Sequence, residues 1–138
     1  LGELIGVTTP TKDGLMPRHQ AIRSINKNNN IYCCLRLGIY EAGQVLNGFL
    51  YVTNVAGEIS TIAVSAAVWN STNVYCTLIN GVKGNIGSLS YIKETNSISL
   101  YIRMPNYANI SFVPLNIYNS SSLETVSSIP SDAINVNF

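Results

Sequence analysis

From Ile31 onward the chain alternates in hydropathy with a period of two, and this period restricts its body to β-strands. In Ile31–Tyr40 the odd positions read Ile31, Cys33, Leu35, Leu37 and Ile39, while the even positions read Tyr32, Cys34, Arg36, Gly38 and Tyr40. One face is core and the other amphipathic, as in an antiparallel strand with one wet side. In Val45–Asn54 the even set Leu46, Leu50 and Val52 is apolar, and Gly48 marks a bend or bulge. Glu58–Val68 places Ile62, Val64, Ala66 and Val68 inward and Thr61, Ala63, Ser65 and Ala67 outward. That flat outward set suits either a solvated face or a neighbouring subunit.

Further strands follow at short spacing. Val74, Cys76 and Leu78 line one face of Asn73–Asn80, and Leu89 and Tyr91 resume the alternation. Between them, Gly81-Val82-Lys83-Gly84-Asn85 reads as a hairpin turn; it has neither the spacing nor the Ser or Thr of a phosphate loop. Ile98, Leu100, Ile102 and Met104 alternate with Ser99, Tyr101 and Arg103. Asn109–Tyr118 carries Val113, Leu115 and Ile117 on one side, and Pro114 argues for an edge position or a bulge. Leu123–Ser128 and Ala133–Phe138 complete the series. Short strands separated by turn signals predict an all-β fold, an antiparallel β-sandwich of jelly-roll-like type. No internal repeat of fixed period points to a solenoid or propeller.

The first thirty residues differ. Thr8-Thr9-Pro10-Thr11-Lys12-Asp13-Gly14 is turn chemistry, and Leu15–Ile25 reads as one short helix ending near Asn26. The expected organisation is a linker over 1–30, partly helical, and a β-sandwich domain over 31–138. The chain begins without Met, so it is expected to be a fragment of something longer.

Composition narrows the partners. Apolar residues make up 46% of the chain and charged residues 11%, against an ordinary charged share of about 25%. Asn, Ser and Thr fill part of that deficit; the remainder suggests apolar surface hidden against another chain. The net charge is +1, and Lys12, Arg18, Arg23 and Lys27 are only a loose spread. A nucleic-acid partner, which demands a basic face, is not expected. No apolar run approaches the roughly 20 residues that span a bilayer, so membrane insertion is not expected either. Cys33, Cys34 and Cys76 read as reduced, small apolar residues, with a Cys33–Cys76 bridge as the alternative.

The residues of catalysis are scarce. The only histidine, His19, lies in the linker-like start, away from any nucleophile it would have to activate. Adjacent Cys33 and Cys34 do not have zinc-ligand spacing, and the acids are too scattered for calcium. Glycoside hydrolysis needs two carboxyls roughly 5 to 10 Å apart, whereas Glu41, Glu58 and Glu94 each sit at a turn signal. The chain is therefore expected to be no enzyme, and to need no metal or cofactor.

A binding surface remains. Trp69 ends the Glu58–Val68 strand on the outward parity and leads into Asn70-Ser71-Thr72-Asn73. An aromatic ring beside amides and hydroxyls suits a sugar, since the ring stacks on C–H faces while Asn reads hydroxyls. Capping the sandwich, or packing in an interface, would explain Trp69 equally. Tyr107, between Asn106 and Asn109, has a similar claim. The expected receptor-binding residues are thus Trp69, Asn70, Asn73, Asn106 and Tyr107. Tyr32, Tyr40, Tyr51, Tyr75 and Tyr101 fall on the non-core parity, as surface or interface residues.

Thr11-Lys12-Asp13-Gly14-Leu15-Met16 resembles the linker that recurs in tail-fibre and tail-appendage proteins of phages and prophages. The later order is similar to their distal regions. An Arg-containing strand (Leu35-Arg36-Leu37-Gly38-Ile39-Tyr40) precedes a second (Ser99-Leu100-Tyr101-Ile102-Arg103) and an apolar run ending Ile117-Tyr118. Pro17-Arg18-His19 departs from the linker's usual continuation. The resemblance implies a homotrimeric tip on a virion tail appendage, a β-sandwich per subunit, and a bacterial cell-surface glycan or protein as target. It carries over no site residues. The alternatives are an assembly domain of the virion without a ligand and, third, a glycan depolymerase subunit.

Overall fold

The computed structural model describes residues 23–27, 32–38, 45–69, 71–94, 97–104, 108–116 and 121–138. Ten strands are defined among them: β1 (Arg23–Lys27), β2 (Tyr32–Gly38), β3 (Val45–Asn54), β4 (Ile59–Trp69), β5 (Ser71–Asn80), β6 (Leu89–Lys93), β7 (Ser97–Arg103), β8 (Ala108–Asn116), β9 (Ser121–Val126) and β10 (Ile134–Asn135). They form two antiparallel five-stranded sheets, in the orders β1-β8-β3-β4-β5 and β10-β6-β7-β2-β9. The pairs β1–β8 and β2–β7 nest as in a jelly roll, while β3, β4 and β5 run on as a meander. The all-β sandwich expected from the alternation is the fold observed. No helix among the described residues is long and apolar enough to cross a membrane.

The two inner faces share one core. Leu50, Ile62, Ile110 and Phe112 of the first sheet meet Leu35, Leu37, Leu100 and Ile102 of the second, all essentially buried. The parity read from the sequence sends Leu50, Ile62, Leu35, Leu37, Leu100 and Ile102 to the centre; on β8 it is corrected, since Ile110 and Phe112 turn inward opposite Val52 and Leu50 while Leu115 is 55% exposed. The three cysteines are buried and in no disulfide. Cys33 Sγ donates to Met104 Sδ inside the core, and no Cys33–Cys76 bridge forms.

Several expectations need correction. Arg23–Lys27 is a strand paired with Ala108–Phe112, where the sequence suggested the end of a helix. A five-residue stretch cannot close helical turns while its backbone groups are engaged in a ladder. The first sheet therefore recruits residues assigned to the linker; positions 1–22, including the linker motif and His19, lie outside the described residues. The segment after β5 is not a hairpin turn. It crosses from one sheet to the other through a 3₁₀ turn at Lys83–Asn85, with Gly81 at φ 95°.

Some outward positions are also buried. Cys34, Thr61 and Tyr101 are each less than a tenth exposed. Cys34 stands in register between Tyr101 and Glu124, and Thr61 between Tyr51 and Asn80. A short side chain between longer neighbours on a central strand is covered by them, whatever its parity.

Candidate functional site

The charged residues define the site by where they are not. Arg36 and Glu124 pair at 3.6 Å on the outer face of the second sheet. Glu58 accepts from Asn54 in the β3–β4 turn, and Glu94 accepts from Ser97 and Ser99 beside the β6–β7 turn. The outer face of the first sheet carries no Asp, Glu, Lys or Arg among its described side chains. Its rows run Asn47–Ser65–Tyr75 and Phe49–Ala63–Thr77 across β3, β4 and β5.

These rows make a groove of about 260 Å³, lined by Asn47, Gly48, Phe49, Ala63, Val64, Ser65, Tyr75, Thr77 and Leu115. Small residues on β4 form its floor, and longer ones on the flanking strands form its walls. Gly48 is part of the construction. A Cβ there would lie 2.6 Å from Phe112 Cζ, because the Phe112 ring occupies the space beneath it.

A second depression adjoins the first over the edge strand β5. It holds about 350 Å³ between Asn73, Val74, Tyr75, Cys76 and Thr77 on one side and Tyr91 and residues 134–137 on the other. The segment opposite β5 is fixed. Ile134 and Asn135 pair with Tyr91 and Ser90, the Val136 N–H donates to the Leu89 carbonyl at 2.9 Å, and Lys83 Nζ lies 4.9 Å from the Phe138 ring centroid. Tyr75 and Thr77 line both depressions, and Tyr75 is 60% exposed. Tyr75 is thus the divide between the two hollows, and among the described residues neither is lined by an ionisable acid or base other than tyrosine and Cys76. Burial pushes the Cys76 thiol up to about 12, so it lines the cleft as a neutral group.

One polar atom in the groove lacks a partner. Asn47 Oδ1 is buried and accepts no hydrogen bond. A carbonyl kept from water without a donor costs about 1–3 kcal/mol.

Of the sequence-expected binding residues, Asn73 lines the cleft. Trp69 ends β4 with its backbone opposite Ser71. Asn70, Asn106 and Tyr107 lie outside the described residues. Asn47, Phe49, Tyr91, Asn135 and Asn137 were not anticipated, and Tyr75 was read as a surface or interface residue. The signal for Tyr75 was its shared parity with Ser65, but strand pairing is needed to bring Asn47 beside them. No protein-family model, curated protein or solved structure matches the chain.

Proposed function

We propose that this chain is a non-catalytic adhesion module, the distal domain of a phage-type tail fibre, which assembles as a homotrimer on the virion and binds a bacterial cell-surface glycan. The observation that carries the reading is the pair of uncharged hollows divided by exposed Tyr75. Phenol rings offer a flat apolar face with a polar tip, and Asn, Ser and Thr supply donors and acceptors in both directions. A sugar needs this combination, and an uncharged wall leaves its hydroxyls nothing stronger than water to compete with. The resemblance of residues 11–16 to the tail-appendage linker supports the same reading.

Assembly draws on a different part of the surface. Val55, Ile59, Ile79 and Val82 are each more than half exposed, and all four lie where the β3–β4 turn meets the end of β5. Gly81 abuts this corner: a Cβ on it would lie 2.6 Å from the Ile59 carbonyl oxygen. An apolar corner of this kind suits a neighbouring subunit, and it leaves the hollows beside Tyr75 open. The same corner favours the second reading, an assembly domain without a ligand.

The test combines mass and binding. Light scattering on residues 1–138 should give about three times 15.0 kDa, and the assembled protein should retain host-surface polysaccharide on an array. A trimer that retains none supports the assembly domain instead. A monomer that retains none removes both.

A further inference from the structure

The groove and the cleft meet at one exposed ring, and their sizes and linings suit a single occupant. We infer that they are adjoining subsites for one neutral oligosaccharide, which lies across Tyr75 with at least one sugar residue in each hollow; this rests on the adhesion reading above.

Each hollow is small by itself. The groove holds about 260 Å³ and the cleft about 350 Å³, at the low end of the roughly 300–1,000 Å³ of pockets that retain a small ligand. Tyr75 and Thr77 line both, and Tyr75 is 60% exposed, so an occupant reaches the ring from either side. A single rigid sugar ring fills one hollow and leaves the other to water. Two rings joined through a glycosidic oxygen fill both, because the linkage carries the chain over the divide.

The two linings ask for the same chemistry. To the shared pair the cleft adds Asn73, Asn135 and Asn137, and the groove adds Phe49 and Ser65. Asn135, Asn137, Thr77 and Tyr75 are all exposed, so these side chains are open to what enters. Asparagine amides both donate to and accept from sugar hydroxyls, and aromatic rings cover the C–H faces. Neither lining includes Lys or Arg. An acidic chain would give up the water on its carboxylates there without gaining a cation, so the chain that fits is neutral.

The linkage itself sets the expected gain. Once the first ring is bound, the second meets its hollow at an effective concentration in the millimolar range, and a tethered pair exceeds either unit alone by about a hundredfold or more.

The experiment is calorimetric titration of the full chain with monomers, dimers and tetramers of glucose, galactose, rhamnose and N-acetylglucosamine, with galacturonic acid oligomers as the acidic series. In the neutral series that binds, affinity should rise about a hundredfold from the single sugar to the chain that spans Tyr75, and the acidic series should bind more weakly at equal length. Asn135→Trp crowds the cleft and leaves the groove as it is. It should erase the gain of length, at an unchanged melting temperature because Asn135 is exposed. Affinity independent of length in the parent chain would overturn the paired subsites and leave the adhesion reading standing. A gain of length that survives in folded Asn135→Trp would overturn them too, by placing the second sugar elsewhere. If no chain of any series bound, the adhesion reading would fall with them.

Discussion

Gly48 of β3 faces Pro114 of β8, and the register of the two strands shifts at this pair. Each residue suits the break for its own reason. Pro114 has no N–H to give to a ladder, and β1 pairs with β8 only as far as Phe112, so the missing donor falls where little pairing is asked of it. Gly48 has no side chain, and the Phe112 ring fills the space that one would take. The bulge bends the sheet beside Asn47, at one wall of the groove.

Gly48→Ala should therefore be destabilising although alanine is ordinarily easy on a strand. The added methyl would lie 2.5 Å from the Val113 carbonyl oxygen and 2.6 Å from Phe112 Cζ, and overpacking of this kind costs about 1–3 kcal/mol. Urea unfolding would measure it. A variant as stable as the parent would show that Phe112 can move aside without loss.

Ala63→Glu should abolish glycan binding while leaving the fold and the oligomeric mass unchanged. The side chain would rise from the groove floor between Phe49 and Thr77, filling the space and adding a charge to a neutral site. Light scattering and glycan titration separate the outcomes. Loss of mass with binding retained would make this face a subunit interface instead.

Ile79→Lys should act in the opposite way. Ile79 is 56% exposed on the apolar corner with Val82, so a charge there should weaken assembly and spare sugar binding by each subunit. Burying a lysine without a partner costs several kcal/mol, enough to shift a trimer to monomers at micromolar concentration. Unchanged mass would place the assembly surface elsewhere.

Cys76 gives the fold a pH dependence at the alkaline end. Its thiol ionises at about 12 in the folded chain, against an ordinary 9.0, because burial penalises the thiolate. Between these values the unfolded chain releases the proton and the folded chain keeps it. Its contribution is therefore fully present below about pH 9 and is lost as pH rises toward about 12. Urea midpoints should fall over that range more steeply for the parent than for Cys76→Ala. Parallel slopes would show that Cys76 gains access to water before the chain unfolds.

Most strands were legible because they keep their parity over enough residues to be counted, but β8 was not, since Val113 and Leu115 suggested the inward side that Ile110 and Phe112 take. Val45–Asn54 was read with the bounds the structure gives it, and Ile98, Leu100 and Ile102 were placed in the core from alternation alone. β1 was missed because Arg23-Ser24-Ile25-Asn26-Lys27 has one apolar residue, too few to show a period. The break at Gly48 and Pro114 was signalled twice, once on each strand, but only the pairing shows that the two signals are one feature. The site was less legible. Trp69 and its Asn-rich continuation attract notice because they are adjacent in sequence, whereas the hollows take side chains from β3, β4, β5, β6, β8 and the segment at 134–137. Only Asn73 belongs to both.

The most direct test of the central claim is glycan titration of the Tyr75→Ala variant beside the parent chain. Tyr75 lines both hollows, so its loss should weaken binding by about 2 kcal/mol or more, roughly 30-fold, as expected for an aromatic anchor at the centre of a site. The melting temperature should hardly change, because the ring is 60% exposed. Undiminished binding by a folded Tyr75→Ala chain would contradict the account and place the receptor on another surface.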